Sequence, residues 1–191
     1  MWKAALSGVL LLLILGGCTA PKPTSGWVSR ARVGGQYSDF IYRDGQGVER
    51  LLRNQLGDYT VLLFSRCDDN SHGPISKLLT GIIEENRRAS MVKVIGIDIH
   101  TFYDKCDHSQ CHLVAGQEDT LSICDATGAI RRLYGVEQAD QLVVIGPDHR
   151  VAYSSRSEKS AELRSWLRSR VAALSDRRAE ELAQEYESID W

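Results

Sequence analysis

Short apolar runs alternate with polar breaks along this chain, and their two rhythms predict an α/β domain. Asp39-Phe40-Ile41-Tyr42 reads as a short strand, with Asp44-Gly45-Gln46-Gly47 as the turn behind it. Val48, Leu51, Leu52 and Leu56 recur at helical spacing, and Gly57 suits a stop. Tyr59-Thr60-Val61-Leu62-Leu63-Phe64-Ser65 is almost unbroken and β-prone, the pattern of a strand buried on both faces of a parallel sheet. Pro74 suits the first turn of a helix whose apolar stripe is Ile75, Leu78, Leu79, Ile82 and Ile83. Residues 91–99 form a second buried strand, with Asp98 ending it and capping the following turn. The polar stretch from His100 to His112 reads as a loop or a short helix. Residues 121–125 are a third strand, 129–134 a short helix and 142–146 a fourth strand. Pro147-Asp148-His149-Arg150 then turns into Val151-Ala152-Tyr153-Ser154, the second arm of a hairpin. Leu163, Trp166, Leu167, Val171 and Leu174 mark a closing amphipathic helix with Trp166 in its core face. The charged tail from Ser175 extends that helix into solvent, and Trp191 at its end is a plausible anchor for a partner.

The amino terminus follows a different pattern. Lys3 precedes the apolar run from Val9 to Leu15, and Leu15-Gly16-Gly17-Cys18 follows. A cationic start, an apolar stretch and small residues before a cut mark an export signal. The run is far short of the roughly 20 apolar residues a membrane span needs. A cysteine directly after the small residues resembles the lipobox of bacterial lipoproteins. That resemblance implies a diacylglycerol on the Cys18 thiol, loss of residues 1–17 and a palmitate-type acyl chain on the new amino terminus. Stable anchoring takes two such signals. Thr19 stands where an Asp retains such proteins at the inner membrane, so the resemblance favours the outer membrane, with the domain facing the periplasm. The other reading is an ordinary secretory signal with a chance cysteine. The division expected is 1–17 signal peptide, 18–36 lipidated cysteine and Pro-bearing tether, 37–174 globular domain, and 175–191 charged helical tail.

Composition narrows the partners. The net charge is −2 and no basic block stands out, so nucleic-acid binding has no support. Membrane lipid at Cys18 and an exported protein remain as partners. Besides Cys18 the chain holds Cys67, Cys106, Cys111 and Cys124. An even number in an oxidising compartment fits two disulfides, with three possible pairings. Cys106 and Cys111 stand close enough in sequence to close a small loop.

The element order is that of a thioredoxin-like fold, and local motifs add to it. The stretch from Asp39 to Ser65 is similar to the opening of peroxiredoxins and of membrane-tethered thioredoxin-like proteins. Asp125-Ala126-Thr127-Gly128 with Leu133-Tyr134-Gly135-Val136 resembles their "D-x-x-G…Y-G-V" stretch, and Val143 to Val151 resembles their "F-L-I-D-P-D-G-R-V" hairpin. The resemblance implies a central mixed sheet flanked by helices and an ancestry in thiol redox chemistry. The superfamily opens the helix after its first buried strand with two cysteines around Gly-Pro. Here that stretch reads His72-Gly73-Pro74-Ile75, so His72 and Ile75 hold the two cysteine positions. No Thr stands three residues before a cysteine, as a peroxiredoxin requires, and no proline stands near Asp140-Gln141, where the superfamily has its cis-proline.

Three chemistries remain open. Parallel α/β sheets place sites at the C-terminal strand ends. That rule gathers Cys67, His72, His100, Cys106, His108, Cys111, His112 and Cys124 on one rim. In the first reading Cys106–Cys111 and Cys67–Cys124 are structural disulfides and the domain is an inactive binding module. In the second Cys67 is a redox nucleophile, resolved by Cys124 or by the Cys106/Cys111 pair. Arg66 and His72 then favour its thiolate, and Asp68 and Asp69 oppose it. In the third, Cys106, His108, Cys111 and His112 bind copper or zinc, which soft thiolate and imidazole ligands suit.

Overall fold

A computed structural model describes residues 32–44, 47–66, 72–87, 91–101, 119–137 and 140–187, with the backbone alone at 66, 72–76 and 101. Its elements, in chain order, are β1 (Ile41–Arg43), β2 (Glu49–Leu51), β3 (Tyr59–Arg66), α1 (His72–Asn86), β4 (Val94–Thr101), β5 (Thr120–Asp125), α2 (Ala129–Leu133), β6 (Gln141–Ile145), β7 (Val151–Arg156) and α3 (Ser160–Glu187). The main sheet has the order β5-β4-β3-β6-β7. β3, β4 and β5 run parallel, while β6 and β7 return as an antiparallel hairpin on the β3 side. β1 and β2 form a separate antiparallel pair.

The central strands are apolar on both faces because both are covered, as the unbroken run in β3 predicts. Leu62, Phe64, Ile97, Ile99, Ile123, Val143 and Ile145 pack on one face with Phe40, Tyr42 and Tyr134. Val61, Leu63, Val94, Leu142 and Val144 pack on the other, under Leu79, Ile82 and Ile83 of α1 and Leu163, Leu167 and Val171 of α3. α1 lies close on β4. A Cβ built at Gly96 would sit 2.9 Å from Leu79 Cγ and 3.1 Å from Ile83 Cγ1, so the missing side chain sets that approach. Trp166 packs edge-on to Tyr59 and tilted against Tyr153, as its helical spacing predicts.

Two sequence expectations need correction. The helix expected from Val48 to Leu56 is instead β2 followed by a 3₁₀ turn over Leu52–Gln55. Of the four apolar positions only Leu52 is fully buried, and Val48 is 46% exposed. A short helix with one buried residue cannot offset its nucleation cost, whereas the hairpin with β1 satisfies the backbone. Asp39 Oδ1 then accepts the amides of Phe40 and Arg53 and fixes the turn. The second buried strand runs from Val94 to Thr101, not over 91–99. Asp98 therefore lies inside the strand, three residues before its end. His100, expected at the start of a loop, is also a strand residue.

The tail from Ser175 continues α3 as one 28-residue helix, as expected. The Arg178 guanidinium grips both carboxylate oxygens of Asp58 and also bonds the Met91 carbonyl. This anchor holds the helix against the N-terminal ends of the parallel strands. The chain from the tether joins the same end: Gly34 N–H donates to Val151 O, Val151 N–H donates to Gly35 O, both at 2.8 Å, and Gln36 bridges Arg150. No described helix is long and apolar enough to cross a membrane.

Candidate thiol site at the C-terminal edge of the parallel strands

At the opposite end of the sheet the apolar face under α1 turns polar. The register pairs Ser65 with His100 and His100 with Cys124, and one step back it pairs Asp98 with Ser122. These five residues share a face, because side chains two apart on a strand point the same way. Ser65, Asp98 and His100 are buried, whereas Ser122 and Cys124 are half-exposed. Ser65 Oγ donates to Asp98 Oδ1 at 2.6 Å and lies 3.1 Å from His100 Nδ1. His100 Nε2 lies 2.6 Å from Ser122 Oγ and 3.6 Å from Asp98 Oδ2.

The proton positions follow from the donor inventory. A serine hydroxyl has one proton, and Asp98 takes that of Ser65. Ser65 Oγ must then accept from His100, which puts a proton on Nδ1. In the neutral ring Nε2 accepts from Ser122. A second proton on Nε2 would face Asp98 Oδ2 as well as Ser122 Oγ. The imidazole is thus bound by β3 on one side and β5 on the other, and its orientation is fixed.

Cys124 carries a free thiol beside this network. The Cys67–Cys124 disulfide of the structural reading is therefore not formed in this structure. α1 begins at His72, as Pro74 predicts, and its amino terminus meets the same edge of the sheet. Helix amino termini carry partial positive charge and favour thiolates nearby. The His72 side chain, Cys18, Cys67, Cys106, His108, Cys111 and His112 lie outside the described residues. So does the metal reading that uses four of them. Among the described residues no group of three or more His, Cys, Asp or Glu side chains is placed to hold a metal.

No protein-family model and no curated protein matches this sequence. Solved structures do. A thioredoxin-like protein from Bacteroides caccae superposes with a TM-score of 0.56 at 18% identity, over 74% of this chain and 50% of that one. A thioredoxin-like protein from Aeropyrum pernix gives 0.55 at 19% identity, over 69% of this chain and 89% of that one. The fold is thioredoxin-like. The peroxidoxin BcpB from Mycobacterium tuberculosis also matches, at 0.52 and 20% identity, over 69% of this chain and 92% of that one. This chain spans half the length of the Bacteroides caccae protein.

Within this thioredoxin-like domain, Asp140 stands where the resemblance expects a cis-proline. There is no cis peptide bond among the described residues, and Asp140 instead adopts a left-handed φ of 64°. Its N–H donates to Phe64 O and its carbonyl accepts from Ser157 N–H, both at 2.7 Å, so the backbone ties β3 to the start of α3. Its Oδ1 is buried without a hydrogen bond among the described residues.

Sequence reasoning placed His100 and Cys124 on this edge, His100 in a loop rather than a strand, but missed Ser65, Asp98 and Ser122. The overlooked signal was period 2. Asp98 and His100 alternate with Ile97 and Ile99, and Ser122 and Cys124 alternate with Leu121 and Ile123.

Proposed function

We propose that this protein is a lipid-anchored, periplasm-facing thioredoxin-like protein that works in thiol–disulfide exchange. The observation that carries the reading is the half-exposed free thiol of Cys124, set in register with the oriented His100 at the C-terminal edge of the parallel strands. Cys67 is the residue after the end of β3, and His72 opens α1. In the exchange, a Cys67 thiolate attacks a substrate disulfide and releases one substrate thiolate. A Cys124 thiolate then attacks the Cys67 sulfur of the mixed disulfide and releases the second. Two electrons pass to the substrate and a Cys67–Cys124 disulfide remains.

Reach decides whether Cys124 is the resolving thiol. Arg66 and Asp125 pair with the same residue, Thr101, from either side, so their Cα atoms stand about 10 Å apart. Cys124 is held inside β5, level with Ser65 and about as far from β3, so one step of about 3.8 Å from Arg66 brings Cys67 within disulfide range only if the chain leaving β3 crosses over β4.

Anchoring through Cys18 fits the direction in which the domain is mounted. The tether joins beside Val151, level with Thr60, and Cys124 is level with Ser65, about 17 Å further along the strands. The thiol edge then faces away from the lipid, toward exported proteins. Outer-membrane residence remains the favoured expectation from Thr19.

Reduction of a model disulfide such as insulin tests the function. The wild type is expected to reduce it, Cys67→Ser to abolish turnover, and Cys124→Ser to trap a mixed disulfide on Cys67. Equal rates in all three proteins would end the proposal.

A further inference from the structure

We propose that Ser122 is a nucleophile toward carboxylic esters, with His100 as its general base. No thiol takes part, so this chemistry is separate from disulfide exchange. Ser122 Oγ lies 2.6 Å from His100 Nε2. The ring donates from Nδ1 to Ser65 Oγ, so Nε2 accepts from Ser122, which is the direction of proton transfer a serine nucleophile needs. Ser65 donates in turn to Asp98 Oδ1, and Asp98 Oδ2 lies 3.6 Å from Nε2. The carboxylate therefore holds the ring through Ser65 and faces the cation that forms when Nε2 takes a proton. Ser65 and Asp98 are positioning residues. Nucleophile, base and support come from three adjacent strands, β5, β4 and β3.

Exposure separates the two serines bonded to the ring. Ser65 is 2% exposed, whereas Ser122 is half-exposed and open to a solute. The base and its carboxylate are buried behind it. On the same face β3 and β4 are otherwise apolar, at Val61, Leu63 and Val94. Burying a carboxylate and an imidazole there costs stability that aliphatic side chains would not. A paired and oriented set at the C-terminal ends of parallel strands is where such a cost serves chemistry. The amino terminus of α1 meets this edge, and its partial positive charge favours an oxyanion. In the reaction Ser122 Oγ bonds to the ester carbonyl carbon as its proton passes to Nε2. The ester C–O bond then breaks, and the alcohol leaves with that proton. Water attacks the acyl-serine and gives a proton to Nε2, which returns it to Ser122 Oγ as the carboxylic acid departs.

A fluorophosphonate, which phosphonylates activated serines and releases fluoride, is the probe, with 4-nitrophenyl acetate as the ester. Wild-type full chain is expected to take up one label, mapped by mass spectrometry to Ser122, and to hydrolyse the ester faster than Ser122→Ala until it is labelled. Labelling should slow on acidification through one ionisation, because a doubly protonated ring cannot accept the serine proton. The titratable groups around that ring are Asp98 on its own strand, Cys124 on β5 and His72 of α1, while β3 offers the uncharged Ser65. His100→Gln is expected to slow labelling by about a hundredfold or more and to remove the pH dependence. Ser122→Ala alters a half-exposed side chain and the wild-type profile alters none, so both remain decisive even where His100→Gln fails to fold. Native protein without label, label on another residue, or ester hydrolysis that is absent or survives full labelling overturns the proposal. So does a folded His100→Gln that labels at the wild-type rate or keeps the wild-type pH profile.

Discussion

His100 is hydrogen-bonded to both neighbouring strands, donating to Ser65 on one side and accepting from Ser122 on the other, and that arrangement makes Ser65 the costly residue to lose. Its single hydroxyl serves both the Asp98 carboxylate and the imidazole, and all three groups are buried. Ser65→Ala strips a charge-assisted bond from a buried carboxylate and leaves Nδ1–H without its serine acceptor. The expected cost is about 1.5–3 kcal/mol in urea unfolding; a loss below about 0.5 kcal/mol would show that the network carries little stability. The sequence half revealed these residues. A polar residue at every second place of an aliphatic strand indicates a polar strip on one face, but whether that strip faces solvent or a helix depends on which strands stand beside it. Ser65 gave no such warning, because one serine after Phe64 reads equally well as the end of a strand.

Among the elements, those with dense, uniform patterning were legible and those resting on one contact were not. β3, β5, α2 and the β6–β7 hairpin stand within two residues of expectation, and α1 and α3 contain every position of their expected apolar stripes, because in all of these but α2 many buried side chains agree. The segment from Val48 to Leu56 failed because its helical spacing was incidental and the pairing with β1 decided its form. The α1–β4 contact is tight enough to predict a cost. Gly96→Ala brings a methyl within 2.9 Å of Leu79 Cγ in a packed layer, and overpacking of this kind costs about 1–3 kcal/mol. Equal thermal stability of the variant would contradict the packing described. The α3 anchor carries a pH dependence. Burial raises the Asp58 carboxyl, but hydrogen bonds from Arg178 and the Lys93 amide, with their charges, outweigh it and hold it below the ordinary carboxylate range. A depressed carboxylate stabilises fully above its unfolded value, about 3.9, and the contribution fades as pH falls through the lower folded value. The stability gap between wild type and Asp58→Asn should therefore be constant above about pH 4.5 and shrink below about pH 4. A gap that widens on acidification would reverse the sign of that argument.

Taken as one molecule, the domain has two distinct ends. Tether and α3 extension leave from the end where β3 begins, and the thiol network occupies the other. Patterning alone gave the fold class and the likelihood of a shared rim, but not this polarity, which comes from strand direction and register. If the anchor works as proposed, the Cys124 thiol of vesicle-bound protein should react with a membrane-impermeant maleimide as fast as in a Cys18→Ser form in solution. Marked protection on the vesicle would mean that the thiol edge faces the lipid. The most direct test of the central claim is a redox titration of the whole chain in glutathione buffers, with the state of Cys124 read by acid-quenched alkylation and peptide mapping. The account predicts a reversible passage of Cys124 between thiol and disulfide near the thioredoxin range of about −270 mV. A Cys124 that stays a free thiol across the whole range of buffers would contradict it.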